Sequence, residues 1–156
     1  MPGRTATNVS VDTLMRLAEL PGIAGVKEAS GNMMQIMEIL ARRPDNFEVL
    51  SGDDGLTLGL LSLGADGVLS VASNCCPALV SKMVRSGMNG DVQTARDIHE
   101  RLLPLFSALF CESNPIPIQY TMGRMGYGNG NPRLPLTPLS AKGRATLDPV
   151  LDALGL

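Results

Sequence analysis

Pro21-Gly22-Ile23-Ala24-Gly25-Val26-Lys27-Glu28-Ala29-Ser30-Gly31 decides how this 156-residue chain reads. The turn Pro21-Gly22 leads into a continuously apolar run, Ile23 to Val26, the pattern of a strand buried on both faces. Ser30-Gly31-Asn32 ends it, and Met33 to Arg42 puts Ile36, Met37, Ile39 and Leu40 on the inner side of a helix. The same unit then recurs. Phe47 to Leu50 is a second short strand, stopped by Ser51-Gly52-Asp53-Asp54 and followed by a short helix from Leu56 to Leu63. Gly64-Ala65-Asp66 turns into a third strand, Gly67 to Val71. Ahead of the first strand, Asp12 to Leu20 forms a helix with Leu14, Leu17 and Ala18 on one face, capped by Ser10 or Asp12. Strand–turn–helix units at about 20-residue spacing predict a parallel α/β architecture.

Beyond Val71 the chain offers helices only. One starts at Pro77, in the first turn where proline is tolerated, and stops near Gly87. Asp91 caps a long one to about Phe110, bent near Pro104. Asn114-Pro115 opens another to about Met125, Gly126 to Pro138 is a loop, and Ser140 caps a last helix that breaks at Pro149. Three short parallel strands leave two sheet edges open, so the pattern reads as part of a larger α/β protein.

Composition bounds the function. Apolar residues are 44% and charged residues 18% of the chain, as in a globular protein rather than a disordered one. The net charge is −2 and basic residues form no cluster, which argues against nucleic acid as a partner. No apolar run reaches the length of a membrane span, and residues 1–5 hold no signal-peptide core. Three cysteines, Cys75, Cys76 and Cys111, cannot all pair, and a bond between the adjacent two would be strained. They read as reduced thiols of a cytoplasmic protein. His99 is the single histidine, so no metal-ligand cluster and no cofactor motif is present. The Gly126-Tyr127-Gly128-Asn129-Gly130 stretch follows no strand and is not a phosphate loop.

Of the three lysines, Lys82 and Lys142 read as solvated helix residues, whereas Lys27 follows a buried strand directly. The C-terminal ends of parallel strands are where α/β sheets and barrels place their sites. A partly desolvated lysine there becomes nucleophilic toward carbonyls and forms a Schiff base. The alternative is a plain ion pair with Glu28 or an acid of the next strand. Gly52 or Asp53 and Ser70 or Asn74 end the neighbouring strands and converge on the same point, although Gly and Asp also serve as ordinary turn and cap residues.

These residues have a family likeness. Pro2-Gly3-Arg4-Thr5, Gly25-Val26-Lys27-Glu28-Ala29-Ser30-Gly31, Ser51-Gly52-Asp53-Asp54, Gly64-Ala65-Asp66-Gly67-Val68-Leu69-Ser70-Val71, Glu112-Ser113-Asn114-Pro115-Ile116-Pro117 and Leu134-Pro135-Leu136-Thr137-Pro138 occur in an order and spacing that resembles the dihydrodipicolinate synthase family. That family belongs with N-acetylneuraminate lyase among the pyruvate-dependent class I aldolases. The resemblance implies the C-terminal half of a (β/α)8 TIM barrel, about three full strands plus a stub, in residues 1–87. A helical C-terminal region in 88–156 follows. It implies condensation of pyruvate with aspartate semialdehyde in lysine biosynthesis, in a homo-oligomer that is commonly a tetramer. Lys27 matches the Schiff-base lysine, Arg4 the arginine that holds the aldehyde's carboxylate, and Leu69 a position whose main-chain oxygen contacts pyruvate. Gly52, Asp53 and Asn114 match residues lining the cleft.

The departures carry their own expectations. Family members run to nearly twice this length, and the family writes Tyr-Asn-Val-Pro-Gly-Arg-Thr where this chain has Met1 in place of the valine. The relay tyrosine, its assisting threonine and the feedback residues fall ahead of Met1. The expected origin is therefore an internal GTG codon of a longer reading frame, and the expected turnover of the chain alone is poor. Gln119 stands where a lysine is common. Two other functions fit less of the sequence: a sibling aldolase or dehydratase acting on a sugar acid, which Arg4 disfavours, and a non-catalytic barrel remnant that acts through association.

Overall fold

The computed structural model describes residues 2–156. The chain divides into two compact units, one reaching to Ser70 and taking in Val84–Val92, the other formed by Val71–Met83 and Gln93–Leu156. The first carries α1 (Pro2–Thr5), α2 (Val11–Ala18), β1 (Gly25–Glu28), α3 (Met33–Arg42), β2 (Glu48–Ser51), α4 (Thr57–Ser62) and β3 (Gly67–Val68). The strands form one parallel sheet in the order β1-β2-β3, with Lys27 opposite Leu50 and Ser51 opposite Val68. α3 and α4 are the crossovers that parallel pairing demands. No strand stub stands at the start of the described residues, where Pro2–Thr5 is instead a helical turn closed by the Ala6 N–H on the Pro2 carbonyl at 2.8 Å.

Local signals set these elements. The Ser10 hydroxyl accepts the Thr13 N–H at the start of α2, and the Asn32 side chain accepts the Gln35 N–H at the start of α3. Leu14, Ile39, Phe47 and Val49 then close one core between these helices and the sheet, and Ile36, Leu60 and Ala65 close a second. Leu17 and Met37, expected inward, are 36% and 37% exposed, because Leu14, Ile36 and Ile39 take the buried positions of their helices. Phe47→Ala should cost about 3–5 kcal/mol by cavity formation. Urea denaturation checks this, and a loss below about 1 kcal/mol would show that Phe47 is not the centre of this core.

The strands shift from their expected bounds for a common reason: the ladder with β2 decides. The Glu48 N–H donates to the Ala24 carbonyl and the Gly52 N–H to the Glu28 carbonyl, which draws Lys27 and Glu28 into β1. Ile23 is 41% exposed, so the run from Ile23 to Val26 is not buried on both faces, since β1 is an edge strand. β2 starts one residue late because the Phe47 N–H closes a turn on Pro44. β3 stops at Val68, three residues early. Its partner ends at Ser51, whose carbonyl takes the Leu69 N–H at 2.8 Å.

Asp66 fastens β3 to β2. Its carboxylate accepts the Val49 N–H at 2.8 Å and pairs with Arg43, which also donates to the Gly64 carbonyl at 2.9 Å. Burial alone would raise the Asp66 pKa, but the Arg43 hydrogen bond, the Val49 N–H and the Arg43 charge outweigh it and hold the carboxyl below its ordinary value. A carboxyl depressed in the folded state adds stability above about pH 4 that disappears as the pH falls through its folded pKa. Acid unfolding followed by circular dichroism should therefore lose part of its pH dependence in Asp66→Asn. An unchanged acid profile would remove this role from Asp66.

The second unit is helical. A 3-10 turn at Ala72–Asn74 precedes α5 (Pro77–Met88), α6 (Val92–Ala108), α7 (Ile116–Arg124) and α8 (Ala141–Leu154). α5 ends at Met88, one residue past Gly87 and so close to its expected stop, and Gly90, with a φ of 80°, supplies the left-handed residue just beyond it. α8 runs unbroken through Pro149. Leu147 and Leu151 on either side of that proline are fully buried, and their packing outweighs the roughly 3 kcal/mol an interior proline costs. The Tyr120 hydroxyl and Arg124 both reach Asp148, joining α7 to α8. Among the described residues no helix is long and apolar enough to cross a membrane.

Candidate active site

Parallel strands end on one side of their sheet, and here the three C-terminal ends are stitched together by the Gly52 N–H on Glu28 and the Leu69 N–H on Ser51. Alternation along β1 sorts its side chains. Val26 packs on the core of Leu14, Ile39, Phe47 and Val49, Lys27 points to the opposite face, and Glu28 returns to the core side, where it is 6% exposed. The Glu28 carboxylate accepts the Ser30 N–H at 2.5 Å and the Gln35 amide at 3.5 Å. The lysine–glutamate pair considered from sequence is therefore not formed, and among the described residues Lys27 makes no ion pair.

Lys27 itself is exposed, not partly desolvated as its place after an apolar run suggested, because its strand is the sheet edge. Its aliphatic stem leans across toward the end of β2. A Cβ at Gly52 would lie 2.9 Å from Lys27 Cε, 2.6 Å from Ala29 Cβ and 3.0 Å from the Glu28 carbonyl oxygen. The missing side chain at Gly52 is the space the lysine stem occupies. The arrangement presents a primary amine on the open face of the strand ends, where a small carbonyl compound can reach it.

Asp53 has a different occupation. Its carboxylate accepts the Gly55 N–H at 2.9 Å and the Leu56 N–H at 3.3 Å, and its carbonyl accepts the hydroxyls of Ser51 and Thr57. The buried Thr57 hydroxyl also lies 3.1 Å from the Ser51 hydroxyl. Asp53 thus shapes the turn that holds Gly52 in place. Ser51 and Thr57 belong to this turn, Ala29 at the end of β1 faces Gly52 across it, and Thr57 and Ala29 carry no separate signal in the sequence.

The remaining candidates fall in different places. Leu69 follows β3 with its side chain 47% exposed. Arg4 is exposed on α1. It does not line the cavity of about 300 Å³ along the open edge of β1, which Pro2, Val26, Lys27 and Gln35 do. Asn114 and Asn74 belong to the second unit. Asn114 is half-buried and precedes a cis peptide bond to Pro115, and the Asn74 amide donates to the Val71 carbonyl at 2.9 Å.

Comparison with known proteins covers the whole chain. A model of the dihydrodipicolinate synthetase family matches residues 1–154. The chain is 50% identical over 157 aligned residues to the 4-hydroxy-tetrahydrodipicolinate synthase of Chloroherpeton thalassium, covering 100% of this chain and 52% of that protein. Among solved structures, dihydrodipicolinate synthase from Aquifex aeolicus matches with a TM-score of 0.97 at 43% identity, covering 100% of this chain and 54% of that one. The chloride-inhibited dihydrodipicolinate synthase of Acinetobacter baumannii, complexed with pyruvate, matches with a TM-score of 0.95 at 38% identity, over 99% and 53% of the two chains. The chain spans about half the length of the curated relatives it matches. This coverage also makes the three strands and their crossover helices a partial (β/α) barrel followed by a helical C-terminal region. With half its residues shared along its full length and its backbone following that of a solved member, the chain belongs to the dihydrodipicolinate synthetase family.

Proposed function

We propose that the chain carries the Schiff-base centre of a 4-hydroxy-tetrahydrodipicolinate synthase, which condenses pyruvate with aspartate semialdehyde in lysine biosynthesis. The observation that carries this reading is the strand-end amine of Lys27, laid over Gly52 on the C-terminal side of a parallel sheet. The Lys27 amine attacks the keto carbon of pyruvate, a C–N bond forms, and water leaves to give the imine. Loss of a methyl proton gives the enamine, which forms the new C–C bond to the aldehyde carbon. Gly52 keeps room for the lysine, Asp53 fixes the turn that carries Gly52, and the Leu69 main-chain oxygen faces the bound pyruvate. Arg4 holds the aldehyde's carboxylate, a fork-shaped task suited to guanidinium. Binding of pyruvate by the Acinetobacter baumannii relative supports the nucleophile's substrate. The barrel part we assign to residues 1–87 and the helical region to 88–156. The working form is a cytoplasmic homo-oligomer.

The aldehyde partner is tested through Arg4. Removing a charge-assisted bidentate contact is worth about 1.5–3 kcal/mol, or roughly 10–100-fold. Arg4→Ala should therefore raise KM for aspartate semialdehyde by about that factor while pyruvate still forms its imine at the parental rate. A variant that keeps the parental KM for aspartate semialdehyde, or a parent that prefers a sugar-acid substrate, would overturn the assignment to the synthase.

A further inference from the structure

The glycine-rich loop after α7 has no part in the condensation, and it builds a cavity whose residues all belong to the second unit. The Gly126 N–H closes on the Gly123 carbonyl at 3.1 Å and the Tyr127 N–H on the Met122 carbonyl at 2.8 Å, which fastens the loop to the end of α7. The chain then returns along that helix. A Cβ at Gly123 would lie 2.3 Å from Gly130 Cα and 2.6 Å from the Gly130 nitrogen, so only glycine lets the loop sit so close. Gly130 itself has a φ of 72°, which L side chains rarely adopt. Glycine is unfavourable inside a helix, and this close seat accounts for one at Gly123. A hollow of about 390 Å³ remains, lined among others by Tyr120, Arg124, Asn131, Pro138, Leu139 and Arg144. None of the residues lining it is acidic.

We propose that this hollow binds a small organic acid, with its carboxylate on the fork of Arg144 and its carbon skeleton against Pro138 and Leu139. One Arg144 nitrogen donates to the Leu139 carbonyl at 3.1 Å, and among the described residues its guanidinium makes no ion pair. Guanidinium carries five N–H donors in a rigid fork that matches a carboxylate, so most of that fork is left for a ligand. Arg124 is already matched, because Asp148 and Asp152 both pair with it. The lining therefore holds one uncompensated positive charge, which suits a singly charged carboxylate. A dianion such as phosphate would also meet the charge of Asp148 and Asp152 held on Arg124. Asn129 adds a directed donor: its side-chain oxygen accepts the Asn131 N–H at 3.0 Å, and its NH2 group is what it offers a ligand. Pro138 and Leu139 supply the apolar wall that an inorganic anion has no use for. A concave site with an apolar wall and a few convergent donors is the usual form of a small-molecule site. Binding here is non-covalent and needs neither Lys27 nor its imine.

The test titrates the full nitrogen-15-labelled chain with sodium acetate, sodium butyrate and inorganic phosphate at constant ionic strength. Butyrate has no keto group, so it forms no imine with Lys27. The expected result is saturable binding of one butyrate per chain, with amide shifts at 120–124, 129–131 and 138–144. Butyrate should bind more tightly than acetate by about 4-fold for each methylene it buries, and phosphate should bind more weakly than butyrate. Arg144→Gln should weaken butyrate by roughly 10–100-fold, and Arg144→Lys, which keeps the charge without the fork, should fall between. Circular dichroism and the pyruvate adduct at Lys27 should stay parental in both. Parental butyrate affinity in either variant would overturn the proposal. So would equal affinity for phosphate and butyrate, which would reduce the hollow to a general anion patch. If either variant fails to fold, the parent chain alone decides: shifts that fall elsewhere, or no saturation, sink the idea.

Discussion

Lys27→Arg abolishes the borohydride-stable adduct with pyruvate and leaves the fold intact. An ordinary guanidinium has a pKa above about 12, so fewer than about 1 in 10⁵ are neutral at pH 7, and only the neutral form attacks a carbonyl. The charge at position 27 is retained, and the side chain is exposed without an ion pair, so stability should move by no more than about 0.5 kcal/mol. Intact-mass measurement after borohydride reduction reads the adduct, and urea denaturation reads the stability. An adduct formed at the parental rate by the variant would exclude Lys27 as the nucleophile.

Gly52→Ala has the next largest effect, through the space it fills. The new methyl would stand 2.6 Å from Ala29 Cβ and 2.9 Å from Lys27 Cε. Ala29 has no rotamer to yield with, so either the strand ends separate or the lysine stem swings away. Overpacking of this kind costs about 1–3 kcal/mol. Displacing a reacting amine by about 1 Å costs on the order of 100-fold in rate. Gly59→Ala is the control, because nothing lies within 4 Å of a Cβ there and the residue is in α4. It should leave adduct formation unchanged and raise stability by about 0.5–1 kcal/mol. Adduct formation at the parental rate in Gly52→Ala would show that the lysine does not depend on this gap.

Much of this was legible in the sequence. The turns at Pro21-Gly22, Ser51-Gly52 and Gly64 mark the strand–helix units, and Ser10 and Ser140 each cap the helix they precede. Lys27 stood out because it follows an apolar run at a strand end. What the sequence could not show was the ladder. Hydrogen bonds to β2 extend β1 over Lys27 and Glu28 and end β3 at Val68, and no local pattern in either strand encodes them. Burial differs for the same reason, since Ile23 to Val26 has the pattern of a central strand but forms an edge. By local rule Pro149 breaks a helix, whereas Leu147 and Leu151 hold α8 together by packing. In the site, Gly52 was recognisable as small, but its contact with Lys27 Cε belongs to tertiary structure alone. Asp53 proved to be occupied with the turn, the ordinary role that its motif also allowed.

The central claim is that one of three lysines is the nucleophile. The direct measurement is incubation of the chain with pyruvate, reduction with borohydride, proteolysis, and mass mapping of the peptides that contain Lys27, Lys82 and Lys142. The pyruvate-derived mass should fall on the Lys27 peptide alone. Modification confined to Lys82 or Lys142, with the Lys27 peptide unchanged, would contradict the account.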